Sequence, residues 1–343
     1  MTILKRWFIV VCSLFLLIGS GCTRAEKERA AKEEAVDQQT KVEQEEAPVR
    51  KPSVFPLTGI ETEQKPNHRV VAVMINNHPK ARPQSGLPKA DIVYEVLAEG
   101  DVTRFLALYQ SEKPKKIGPV RSARDYYIQL SKGYDALYIC HGWSPEAKEM
   151  LESGEVDYLN GLFYDGTLFQ RASFRKAPHN SYITFTNIEK GAQQQGFSLE
   201  DEIEPLPFFT SELQGVAAQQ INISYSKRSY AQVQYKYDDA QQKYARYSGG
   251  EQTIDYDTEQ PVLIDNVFIV EMEHTIVDET GRRDIDLISG GKGYLFQKGV
   301  VREVEWKNVE GRILPYENGI PIGFVPGKTW INIVPKLSIV HYQ

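Results

Sequence analysis

The stretch "RVVAVMINN", Arg69–Asn77, is a continuous apolar run rich in valine. Nothing in it alternates with polar residues, so it reads as a buried strand rather than a half-exposed one. Two neighbours extend the pattern. "ADIVYEVLA" (Ala90–Ala98) alternates and reads as a second strand, and "TRFLALYQS" (Thr103–Ser111) as a third. Helical signals follow. In "SPEAKEMLESG" Ser144 stands as an N-cap, Pro145 at the first helical position and Gly154 as a stop. "TNIEKGAQQQG" is a second short helix, and Ser122–Leu130 a third that would follow a turn at Gly118-Pro119. Interleaved strands and helices predict a mixed α/β first half.

Beyond about residue 220 the texture changes. "INISYS", "QVQYKYD", "PVLIDNVFIV", "GYLFQKG", "REVEWKN" and "TWINIVP" are short β-rich runs parted by Gly, Asp and Asn. "YDDAQQKYARYSGG" reads as a hairpin, and "SGGKGY" (Ser289–Tyr294) as a hairpin turn. The predicted fold class is α+β: an N-terminal mixed α/β domain over 52–210, then a mostly antiparallel β domain over 211–343. The boundary is placed in the proline-bearing "DEIEPLPFFTSELQG".

The N-terminus speaks to location. Lys5 and Arg6 precede an apolar run, Trp7–Ile18, of about a dozen residues, shorter than the roughly 20 that span a bilayer. Gly19-Ser20-Gly21 and Cys22 follow. The pattern is similar to a bacterial lipoprotein signal peptide over 1–21, with Gly19 where leucine is usual. Cys22 would then be the lipid attachment site and carry a palmitate-type acyl anchor, which places the protein on the outer face of the cell membrane. An ordinary cleaved signal or an uncleaved anchor is the alternative. Residues 22–51 carry eight acidic and seven basic residues and no aromatics. Such a segment buries no core and reads as a disordered tether, about 30 Å long by the square-root scaling of a flexible coil.

Cys12 leaves with the signal and Cys22 takes the lipid, so Cys140 is left alone in the body and forms no internal disulfide. Its apolar setting, "ALYICHG", predicts a buried thiol. The chain carries −6 overall; the signal holds two basic residues and the tether a net −1, leaving the body at −7. That excludes general nucleic-acid binding, which needs a basic footprint.

Against this background the segment Asp101–Arg124 is anomalous, with six basic and two acidic residues. Arg104, Arg121, Ser122 and Arg124 belong to it, and "FQRASFRKAPHNSY" adds Arg171, Arg175, His179 and Asn180. Guanidinium groups offer a planar fork matched to carboxylate or phosphate oxygens. Free N–H groups at the start of the third helix would add to such a site. Two readings stay open. The arginines pair with internal acids (Asp91, Glu95, Glu99, Asp125), or they face an external anion. Nothing indicates a metal or cofactor: the six histidines lack metal spacing, and "SGGKGY" lacks the residues of a phosphate loop. Cys140 and His141 are adjacent and face opposite sides of a strand, so they form no dyad. Trp306 and Trp330 read as core, with sugar stacking as the alternative.

Taken together, "PLTG" (Pro56–Gly59), "INNHPKARPQSGLPKADIVYEVLAEGDVTRFLALYQ", "KIGPVRSARDYY", "RKAPHNSY", "IDNVFIVEM", "SGGKGYLFQKG" and "GKTWINIVP" resemble the YerB-like lipoprotein family of Gram-positive bacteria. The resemblance implies a location and two domains, and no reaction. The order of acidic residue, two apolar strands, basic turn and helix also resembles the LytR-CpsA-Psr phosphotransferases. By that resemblance Asp91 and Asp125 are the catalytic candidates; Ala123-Arg124-Asp125 stands where Pro-Arg-Asp is expected. Phosphoryl transfer is chiefly positioning and charge stabilisation, so an arginine cluster with one carboxylate meets its needs. Three functions are therefore expected to compete: binding an anionic envelope polymer or phosphate-bearing ligand, acting on lipid-linked or phosphate-bearing wall polymers, and serving as a scaffold for a membrane protein partner.

Overall fold

Val71, Val73 and Ile75 enter one hydrophobic core, while Val70, Ala72 and Met74 enter another. The unbroken apolar run is thus a strand covered on both faces, which is why it does not alternate. This strand, β1 (Val71–Asn76), lies in a twelve-stranded sheet in a computed structural model that describes residues 53–209 and 213–343. The signal region 1–21, Cys22, the tether 22–51 and the expected boundary at 210/211 fall outside the described residues.

β2 (Ile92–Glu99) and β3 (Val102–Tyr109) form an antiparallel hairpin through Gly100, and β3 pairs antiparallel with β1. Beyond β1 come β4 (Leu137–Cys140) and β5 (Tyr158–Asn160), both parallel. Helices α1 (Asp125–Lys132) and α2 (Pro145–Glu152) pack on one core, and α3 (Phe185–Gln195) on the other. Ser144 caps α2 by accepting from the Ala147 N–H, as expected. Two helix starts differ from expectation. α1 begins at Asp125 rather than Ser122, and α3 is capped by Thr184, two residues before the predicted threonine. β6 (Phe169–Arg171) and β7 (Ser181–Ile183) make a separate small ladder beside the loop.

Among the described residues no α-helix follows residue 195, and strand outweighs helix. The hairpin β9 (Gln232–Asp238) and β10 (Lys243–Ser248) forms as predicted, beside β8 (Gln220–Ser224). The expected turn at Ser289–Tyr294 is instead the start of a strand, β12 (Gly291–Gln297). The turn lies at Lys298-Gly299, whose positive φ angles of 47° and 76° lead into β13 (Val300–Val309). Gly293 has the Ile269 carbonyl 2.7 Å from where a Cβ would sit, so its glycine serves close strand packing.

The two halves of the sequence share one sheet. β11 (Asn266–Glu271) pairs parallel with β14 (Thr329–Val334), and β14 pairs parallel with β2. A strand from the end of the chain therefore lies against the N-terminal hairpin. Trp306 and Trp330 are buried core residues, as is Cys140.

Candidate functional site

The site is built where β3, the 118–124 loop and the ends of β4 and β7 converge. Each arginine predicted from sequence meets a different fate.

Arg104 points from β3 into the loop. It donates to both oxygens of Glu99 (2.9 and 2.7 Å) and to the Ser122 carbonyl at 2.7 Å. Arg124 also donates to Glu99. One carboxylate therefore clamps two buried guanidinium groups across the β2–β3 turn. Arg175 is spent on backbone carbonyls, Ala81 at 2.7 Å and Pro83 at 2.5 Å, and on the Tyr182 hydroxyl at 2.6 Å. Arg171 meets Asp165 (3.1 and 3.0 Å) and donates to Asn180 Oδ1 at 3.2 Å. It also approaches His141 Nε2 at 2.8 Å.

Arg121 differs. Its backbone is fixed: its N–H donates to the Met74 carbonyl at 2.9 Å, and its carbonyl accepts from the His141 N–H at 3.0 Å. Its guanidinium is half-buried and has no hydrogen-bond or ion-pair partner among the described residues. Burial, with the Arg104 charge adding to it, pulls its pKa down to about 10.

Three histidines feel the charge of this group. His78 and His179 stack with ring centroids 4.5 Å apart. The hydrogen-bond network assigns their tautomers. Asn76 Oδ1 accepts from the His78 N–H, so its Nδ2 is the group that donates to His179 Nδ1, at 3.0 Å. His78 Nδ1 accepts from the Lys80 N–H at 3.1 Å. Both rings therefore keep Nε2–H as a donor. His141 is oriented the other way. Arginine can only donate, so Nε2 accepts from Arg171, and Nδ1–H donates to Ser181 Oγ at 2.7 Å. That tautomer cannot take a proton from Ser181, so the pair is not an activated nucleophile.

The electrostatics are uniform. Burial and the nearby Arg121 charge lower all three histidines; Lys80 and Arg82 add to the effect at His78, Arg171 at His141. His179 falls to about 4, through burial and then the His78, Arg121, Lys80 and Arg175 charges. All three are neutral at pH 7. Arg121 is thus a half-buried cation within electrostatic range of three neutral histidines, of which His78 and His179 keep an uncommitted Nε2–H.

The carboxylate candidates lie apart from it. Asp91 is fully buried at the opposite end of β2. It accepts from the Gln110 and Ser111 N–H groups at 2.6 and 2.9 Å and from the Ser111 hydroxyl. It precedes Ile92, the register partner of Leu108, whereas Arg104 is opposite Val96, about 17 Å further along the strand at the usual rise per residue. Asp125 opens α1, and its carboxylate faces the N–H groups of its own helix's first turn. Cavities of about 440 and 520 Å³ lie over the C-terminal strands, the first lined by Lys292, Tyr294, Glu303 and Glu305, the second by Glu271, Glu273 and Lys336. Neither is lined by the arginines.

Sequence reasoning did not single out Asn76, His78 or His141 for this site. "NNHPK" was visible as a polar turn ending an apolar strand, and that was its only signal.

The fold is a mostly β body whose two sequence halves share one sheet, with an arginine–histidine cluster beside it on an acidic chain. Residues 57–198 match the family described as "Protein of unknown function (DUF3048) N-terminal domain", and residues 221–331 match its C-terminal domain. "Putative lipoprotein YerB" of Bacillus subtilis (strain 168) is 54% identical over 286 residues, covering 82% of this chain and 86% of that protein. The crystal structure of the YerB protein from Bacillus subtilis superposes with a TM-score of 0.81 at 53% identity, covering 85% of this chain and 99% of that one. The chain belongs to the YerB-like family.

Proposed function

We propose that this protein is an extracytoplasmic lipoprotein, held on the outer face of the cell membrane through Cys22, and that its folded body binds an anionic cell-envelope component at Arg121. The N-terminal pattern ending in Cys22 and the lipoprotein name of the YerB relative support the anchoring. The observation that carries the binding is the half-buried Arg121 guanidinium with no internal acid. A half-buried guanidinium with no protein acceptor keeps its donors available, and a ligand carboxylate or phosphate oxygen matches them. His179 supplies a second donor. Asn180 and Arg171 shape the rim, Arg104, Ser122 and Arg124 hold the loop, and Arg175 ties the neighbouring segment to the 81–83 turn.

The test is thermal unfolding of the purified full chain, wild type and Arg121→Ala, at low salt with phosphate, pyrophosphate and a glycerol-phosphate polymer. A ligand that binds only the folded state stabilises it by mass action, by about 2.7 kcal/mol at a hundred times its Kd. The expected result is a rise in Tm with at least one anion in wild type and none in the mutant. A rise of the same size in both, or in neither, removes the site.

A further inference from the structure

The two tryptophans that sequence offered for sugar stacking are buried, but another aromatic surface adjoins the anion site. Segment 141–144 runs alongside 121–124. The His141 N–H donates to the Arg121 carbonyl at 3.0 Å, the Ala123 N–H to the Gly142 carbonyl at 2.9 Å and the Ser144 N–H to the Ala123 carbonyl at 3.2 Å. Trp143 is therefore the register neighbour of Ala123. Its half-buried ring meets Tyr158 at 6.4 Å and Phe163 at 5.6 Å, the latter edge-on at 65°. Phe163 and Leu162 are 60% and 53% exposed, on a single helical turn, Gly161–Tyr164. That turn is fastened to the site by buried Asn160, whose Oδ1 accepts from both the Gly142 and Leu162 N–H groups, at 2.9 and 3.0 Å.

An exposed phenylalanine leaning on a tryptophan makes an apolar ledge, carried by a segment whose backbone pairs with the one that bears Arg121. We infer that the ligand is an anionic glycan: its phosphate or carboxylate sits at Arg121 and an adjoining sugar ring lies on the Trp143–Phe163 ledge. This inference rests on the Arg121 anion site proposed above. The face of an aromatic ring is electronegative and attracts the weakly positive C–H groups that line one side of a pyranose. Charge complementarity orients the polymer, since Arg121 has no acidic partner among the described residues on a body of −7. A lipid surface fits less well. The turn is four residues long and is followed by Asp165, whereas interfacial helices present a long apolar face flanked by basic residues.

The test uses the full chain and follows tryptophan fluorescence while titrating three probes: inorganic pyrophosphate, a sugar-substituted polyol-phosphate polymer, and phosphatidylglycerol vesicles. Phe163→Ala removes only an exposed ring. It is expected to weaken the polymer by roughly three- to tenfold and to leave pyrophosphate affinity unchanged. Phe163→Tyr, which keeps the aromatic face, is expected to restore polymer binding. Unchanged polymer affinity in Phe163→Ala overturns the inference while leaving the anion site standing. So does a Phe163 dependence seen only with vesicles. Failure of both polymer and pyrophosphate to bind wild type removes the anion site and the glycan inference with it.

Discussion

Arg246 and Glu95 form a fully buried ion pair that joins the two halves of the chain. The Arg246 guanidinium donates to both Glu95 oxygens, at 3.0 and 2.9 Å, although the residues are 151 positions apart. Thr103 and the Trp330 indole also donate to that carboxylate, at 2.9 and 3.0 Å. Arg246 lies over the Trp330 ring, 4.7 Å from its centre. Removing one partner strands a charge in the core. Arg246→Met is therefore expected to cost about 3–5 kcal/mol. Adding Glu95→Gln should return part of that loss, because the remaining charge goes with it. Urea unfolding of the two single mutants and the double mutant measures this. Simple additivity would show that the two groups do not interact.

Glu99 and Arg121 should respond in opposite ways. Glu99 neutralises two buried arginines, so Glu99→Gln is expected to destabilise by about 3 kcal/mol or more. Arg121 faces no acid, so Arg121→Met is expected to change stability by less than about 0.5 kcal/mol, or to raise it. A loss above about 2 kcal/mol in Arg121→Met would instead indicate an internal partner, and the residue would be structural. Denaturant midpoints at pH 7 separate these outcomes.

Stability against pH carries opposed contributions, and His274 and Asp91 show one of each sign away from the Arg121 cluster. His274 has no hydrogen-bond partner on either ring nitrogen, and burial, with Arg283 adding to it, lowers its pKa to about 4. The unfolded chain then binds more protons than the native one between about 4 and 6.5, so this contribution grows as pH rises through that window and is lost as pH falls. Asp91 is the reverse. Burial outweighs its hydrogen bonds with Ser111 and Gln110 and raises its pKa from 3.8 to about 6. The native state holds that proton longer, so its contribution falls as pH rises from about 4 to 6. His274→Leu should flatten the loss of stability on acidification, and Asp91→Asn should steepen it. Urea midpoints from pH 4 to 7 read both slopes. Identical slopes in wild type and mutants would contradict these assignments.

Local chemistry was legible in sequence. The valine-rich run announced β1, Ser144 and Pro145 announced α2, the apolar setting of Cys140 announced a buried thiol, and the charge anomaly at 101–124 marked the loop around which the site is built. Each rests on interactions between residues a few positions apart, or on composition alone. Boundaries slipped where a cap competed with its neighbours, as at Thr184, or where the last turn of a loop was mistaken for helix, as at Ser122.

The tertiary structure alone decided what those parts do. Sequence named Glu95 and Glu99 as possible partners without a means of choosing between them. The β2–β3 turn brings Glu99 to Arg104 and Arg124, while the C-terminal half supplies Arg246 to Glu95. Arg121 is left without an acid, because Glu99 goes to Arg104 and Arg124 and no other carboxylate among the described residues acts on it. Parallel pairing of β14 with β2 spans more than two hundred residues and leaves no periodic trace in either segment. The physical reason is common to all of these. Backbone propensity and amphipathic period are written over short windows, whereas ion pairing, burial and sheet order depend on which distant segments meet, and that is settled only when the whole core closes.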